Sequence, residues 1–171
     1  MRRGLIIFLV LFLSTTLVAQ WKSYYPEHKT YKKNQDKKGE KNQQLFEKNL
    51  FNALKAKALE DYEDALGYFE KCTEIDEKQA LPFYESAIIN KEGGRYSIAV
   101  EQVKKALKLK PKNRWYILMY AEILFGKQDF NNSAIQYKKL IVLEPGNEDL
   151  YFRLADIYIY SQKFNKAIEV Y

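Results

Sequence analysis

The chain has 171 residues, with 28 Lys and Arg against 22 Asp and Glu, a formal net charge of +6 at pH 7, one histidine and one cysteine. The lone His28 excludes a histidine-based triad, a histidine-rich metal site and an imidazole acid–base pair. The lone Cys72 excludes a disulfide within the chain, and with no histidine nearby it points to no metal site or redox role.

Met1-Arg2-Arg3, the uncharged run from Leu5 to Leu13 and the small residues ending Leu17-Val18-Ala19 read as a secretory signal peptide over residues 1–19, cut after Ala19. Its apolar core is short of the roughly 20 residues that a spanning helix needs. An uncleaved anchor is the other reading. No cysteine follows the cut, which argues against a lipid-modified N-terminus. Residues 20–42 then change to Lys, Tyr, Asn and Gln and are expected to form a flexible Lys/Tyr-rich linker. This stretch holds seven lysines and three acids, so once Arg2 and Arg3 leave with the leader it carries the whole surplus of positive charge. Residues 43–171 are neutral. A folded nucleic-acid binder shows a basic stripe on its ordered face, so nucleic acid is not an expected partner. The tail is either a solvated spacer or, with Trp21, Tyr24, Tyr25 and Tyr31, a weak contact to anionic lipid or glycan surfaces.

From residue 43 the chain repeats itself. In the first unit, about residues 46–79, Ala53 and Ala56 hold the small positions of a leading helix and Tyr62, Ala65 and Phe69 mark a second. Cys72 takes a small buried position there, and Glu77 replaces a proline, which softens the connection. In the second unit, residues 80–113, Phe83, Ala87 and Ile88 mark one amphipathic helix and Gly93-Gly94 breaks it. Tyr96, Ala99, Val100, Val103, Ala106 and Leu107 mark the next at helical spacing, and Pro111 ends it. The third unit, residues 114–147, has Tyr120-Ala121, Leu124, a turn over 126–129, then Phe130, Tyr137 and Pro145. Ser133 and Leu140 stand where alanine is expected. Serine fits, but Leu140 requires the next helix to shift outward or its neighbours to be trimmed. The fourth unit, residues 148–171, has Tyr151, Leu154-Ala155, Tyr158, Phe164 and Ala167. Its second helix stops early and leaves Ile168 and Tyr171 without cover. Terminal repeats carry a polar outer face, so the expectation is a longer protein of which this is the front part, with swapping or dimerisation as the alternative.

The period is fixed at thirty-four residues. Tyr62-Glu63-Asp64-Ala65-Leu66 precedes Tyr96-Ser97-Ile98-Ala99-Val100 by one step, Phe164-Asn165-Lys166-Ala167-Ile168 follows by two, and Pro145 follows Pro111 by one. The pattern of an aromatic, a large-small pair, an aromatic, an alanine, a further aromatic and a proline resembles the tetratricopeptide repeat, over about three quarters of the chain. The resemblance implies an all-α, right-handed superhelical solenoid of antiparallel helix pairs, about three and a half units long. It also implies that the leading helices line a concave groove. The family's groove positions fall on Leu50, Leu54 and Lys57, on Leu81, Tyr84, Ile88 and Lys91, on Trp115, Leu118, Glu122 and Phe125, and on Phe152, Asp156, Ile159 and Tyr160. A peptide or helix of a protein partner would lie along this trough, anchored by Trp115 and Tyr84. The competing reading is that many of these rings pack internally. Members that grip acidic chaperone tails use lysines, asparagines and an arginine on these helices. Leu50, Leu54, Glu85, Trp115 and Met119 stand there instead, so no carboxylate clamp is expected.

Little else suggests chemistry. Glu60-Asp61 and Glu63-Asp64 fall at helix starts, where carboxylates favour the positive end of the helix dipole. Gly93-Gly94 lacks the strand and the lysine-serine sequel of a phosphate loop. The expectation is a non-catalytic scaffold or adaptor without metal or cofactor. It resembles exported repeat proteins of Gram-negative envelopes, periplasmic or associated with the outer membrane. The alternative is the N-terminal docking arm of a longer envelope protein with an enzymatic or peptidoglycan-binding domain beyond residue 171.

Overall fold

The computed structural model describes residues 37–170. The leader, most of the linker and Tyr171 lie outside the described residues. Within them the chain is all helix: α1 (Lys37–Ala58), α2 (Tyr62–Ile75), α3 (Ala80–Glu92), α4 (Tyr96–Leu109), α5 (Arg114–Gly126), α6 (Phe130–Leu143), α7 (Glu148–Tyr160) and α8 (Phe164–Ile168). Each thirty-four-residue unit supplies a leading helix (α1, α3, α5, α7) and a trailing one. One boundary differs from the sequence reading. Helix α1 begins at Lys37, inside the stretch assigned to the linker. Residues 39–42 are exposed, so burial does not extend it, and Glu40 in the first turn favours the positive end of the helix dipole.

The small residues explain why the helices nest. Ala53, Ala87, Ala121 and Ala155 recur on the leading helices, Ala65, Ala99, Ser133 and Ala167 on the trailing ones, and all are buried. A side chain of one carbon lets two helices approach until their larger neighbours interdigitate. Ser133 fits this rule because its hydroxyl donates to the Ala121 carbonyl at 2.8 Å, which leaves no unpaired polar group in the contact. Leu140 is buried as well, and its neighbours are trimmed. Where Ala106 shares a core with Tyr116, Leu140 shares one with Leu150, so bulk moves from one helix to the other. Cys72 is fully buried, and burial pushes its thiol up to about 12.

Every leading helix ends in the same turn. The amides of Asp61, Arg95, Asp129 and Lys163 donate to the carbonyls of Ala56, Asn90, Leu124 and Tyr158 at 2.7–2.9 Å. The residue before each amide is left-handed: Glu60 (φ 61°), Gly94 (φ 70°), Gln128 (φ 64°) and Gln162 (φ 57°). Of the pair Gly93-Gly94, only the second takes this conformation. Gly126 lies within α5 rather than in the turn, and a Cβ there would sit 2.6 Å from the Tyr96 ring, so it is the close approach that requires glycine. The connection containing Glu77 keeps the hydrogen bonds of the proline-bearing ones, with Asp76 donating to Cys72 as Lys110 does to Ala106 and Glu144 to Leu140.

Candidate partner-binding face

The leading helices form one row, and each is fastened to the next from the same position, though its partner shifts along the following helix. The ammonium of Lys57 meets the Glu85 carboxylate at 2.6 Å, linking α1 to α3. One step on, Lys91 meets Glu122 at 2.7 Å, linking α3 to α5. A further step on, the salt bridge becomes an aromatic contact, with Phe125 edge-on to Tyr160 at 5.2 Å between centroids, linking α5 to α7. Lys57, Lys91, Glu122 and Phe125, read from the sequence as groove residues, therefore hold adjacent repeats together.

The other positions fall into rows at the thirty-four-residue step. Leu50, Tyr84, Leu118 and Phe152 form one row, and exposure rises along it. Leu50 is buried, Tyr84 and Leu118 are half-buried, and Phe152 is 49% exposed. Tyr84 packs its ring on Tyr116 at 4.7 Å. In the adjoining row Leu54, Ile88 and Asp156 are half-buried. Leu81 is buried, while Trp115, one step on, is 40% exposed with the Arg114 guanidinium 4.4 Å over its ring. Ile159 is 45% and Tyr160 65% exposed, the latter also stacked on Phe130. Leu50 and Leu81 thus belong to the core, and of these positions the exposed apolar ones are Trp115 on α5 and Phe152, Ile159 and Tyr160 on α7.

Carboxylates border this surface. Burial, with the nearby Glu85, pushes the Tyr116 hydroxyl up to about 12. Tyr137 is likewise pushed up to about 12 by burial, then by Glu122 and Asp156, with Arg153 acting against them. Sequence reasoning did not foresee the fastening role of Glu85 or the ring of Tyr116 under Tyr84; their one signal was that Glu85 lies one turn from Leu81 and Ile88, and Tyr116 next to Trp115. No group of three or more His, Cys, Asp or Glu able to hold a metal occurs among the described residues. None of the described helices is long and apolar enough to cross a membrane.

The family model described as tetratricopeptide repeat matches residues 56–79 and 148–171. Those two segments are similar to tetratricopeptide repeats. The matched stretches lie in the first and fourth units, and the two units between them share their turns and small residues. The TPR repeat-containing protein MJ1428 of Methanocaldococcus jannaschii is 28% identical over 130 residues, 72% of this chain and 23% of its own length. This chain therefore spans about a quarter of that relative. Among solved structures, MamA superposes with a TM-score of 0.68 at 17% identity, covering 74% of this chain and 69% of MamA. The first TPR of Spaghetti (RPAP3), bound to an HSP90 peptide, superposes with a TM-score of 0.62 at 18% identity, covering 72% of this chain and 94% of that one. These likenesses show the fold, an all-α solenoid of tetratricopeptide type.

Proposed function

We propose that this chain is a non-catalytic protein-binding scaffold of a bacterial cell envelope, exported by its N-terminal leader, whose leading-helix face docks a peptide or helix of a protein partner. The observation that carries the binding role is the half-exposed apolar row of Tyr84, Leu118 and Phe152 with Trp115 beside it. Large rings held by their neighbours lose little freedom on binding, which makes them effective anchors. A solved structure with the same fold holds an HSP90 peptide, but acidic tails are a poor fit here. Lys57 and Lys91 are both engaged by carboxylates, and Glu85 borders the same face. The ligand this surface suits is one with apolar side chains at its centre. Export rests on Arg2-Arg3, the run from Leu5 to Leu13 and the small residues before Gln20.

A photo-crosslinking side chain at position 118 is expected to capture a partner in cells, and one at position 135, on trailing helix α6, is not. Tyr84→Ala with Trp115→Ala is expected to lower that yield by roughly tenfold or more, with circular dichroism still helical. Equal yield would move the interface off this face. Mass spectrometry of the mature chain is expected to find Gln20 at its N-terminus, and an intact Met1 in the envelope fraction would remove the cleaved leader.

A further inference from the structure

Residues 43–171 carry no net charge, but on the trailing helices the two signs are sorted. Between residues 60 and 78, on and around α2, stand eight acids and two lysines, and between 95 and 112, on and around α4, stand six basic residues and one acid. Nearly all are exposed. The sorting is in register. One thirty-four-residue step turns Glu70 into Lys104 and Glu74 into Lys108, and the one acid in the basic stretch, Glu101, stands one step after Gly67.

The helix start accounts for the acids from Glu60 to Asp64 and the following turn for Asp76, but nothing among the described residues accounts for the matched pairs. Among the described residues no ion pair includes Glu63, Glu70, Glu74, Lys104, Lys105 or Lys108. The ammonium groups of Lys104 and Lys105 lie over the rings of Tyr120 (5.8 Å) and Phe83 (5.4 Å), and both residues remain exposed. Gly67 sits in the interior of α2 with nothing within 4 Å of where a Cβ would be, so the chain's own packing does not require it. A glycine there weakens the helix and leaves a gap on its surface.

We propose that two copies of this chain pair through their trailing helices, α2 of each against α4 of the other. A two-fold axis running along and midway between α2 and α4 sets each position of the first unit opposite the same position of the second unit in the other copy. Glu70 and Glu74 then face Lys104 and Lys108 of the second copy, and the reverse, as an isologous contact demands. Glu101 of the second copy falls opposite Gly67, where there is no side chain for it to meet. An anionic polymer or membrane would use the basic stretch and leave the matched acidic one unexplained. A second copy uses both. The leading-helix face stays open, so this pairing stands or falls independently of the binding role proposed above.

The test is sedimentation of the full chain. A dimer is expected at about 50 mM salt, with association weakened roughly tenfold or more at about 500 mM, because exposed charges are screened beyond a few ångströms at the higher value. Glu70→Lys with Glu74→Lys, and separately Lys104→Glu with Lys108→Glu, are each expected to be monomeric with unchanged circular dichroism. Mixed in equal amounts, the two variants are expected to pair with each other. A wild-type chain that is monomeric at low salt, variants that dimerise as well as the parent, or a mixture that stays monomeric would each overturn the proposal. So would a monomer that binds phosphatidylserine vesicles through Lys104 and Lys108, which would assign the basic stretch to a lipid surface.

Discussion

Ala99 has no exposed surface and shares its core with Ala87, Val103, Met119 and Ile123, drawn from three successive helices. A larger side chain there has nowhere to go without parting them. Ala99→Trp is therefore expected to cost on the order of 1 to 3 kcal/mol or more, read as a lower melting temperature; a variant melting like the parent would contradict the packing. A second residue-scale expectation concerns pH. Tyr116 and Tyr137 are raised from 10.0, and Cys72 from 9.0, to about 12. The unfolded chain then gives up these protons at a lower pH than the folded one, so the unfolded state binds fewer protons in alkali and stability falls as pH rises. The loss is expected to begin near the unfolded values and to run through about pH 12, with full stability retained below. Denaturant midpoints measured across that range check it, and midpoints that stay level would show these groups to be solvated. The small residues were legible in the sequence because they recur at one period. The burial of Glu85 was not, because its role depends on Lys57 in the preceding unit.

The left-handed turn belongs to the helix pair rather than to any one side chain. Its hydrogen bonds recur four times, but glycine occupies the strained position only at Gly94, while Glu60, Gln128 and Gln162 take the same conformation with a Cβ. A left-handed non-glycine residue costs about 1 kcal/mol or somewhat more. Gln128→Gly is expected to recover up to about 1 kcal/mol, and Gly94→Ala to lose a similar amount. The loss at Gly94 would be purely conformational, since nothing lies within 4 Å of a Cβ there. Denaturant midpoints should move in opposite directions with unchanged slopes, and a destabilised Gln128→Gly would mean that the Gln128 side chain does more than cap a turn. The sequence showed the breaks at Gly93-Gly94 and over 126–129 but not the left-handed conformation of Glu60, Gln128 and Gln162, because that geometry comes from the backbone bonds that close each leading helix. Helix α1 likewise starts at Lys37, ahead of its packed portion, and hydrophobic periodicity does not report an exposed first turn.

For the solenoid as a whole, the period told which residues share a face but not how deep each one lies. Leu50 and Phe152 hold the same position three units apart, yet one is core and the other half exposed. Depth depends on what the neighbouring unit offers, as when Phe125 is met by Tyr160 but Lys91 by Glu122. That change of fastener along the row also grades the molecule mechanically. The first two junctions each carry an ion pair, and the more exposed of them, Lys91 with Glu122, is the one that added salt weakens. The third is an apolar hinge, indifferent to salt but slackened by cooling. Added salt and cooling therefore act on different junctions of the row.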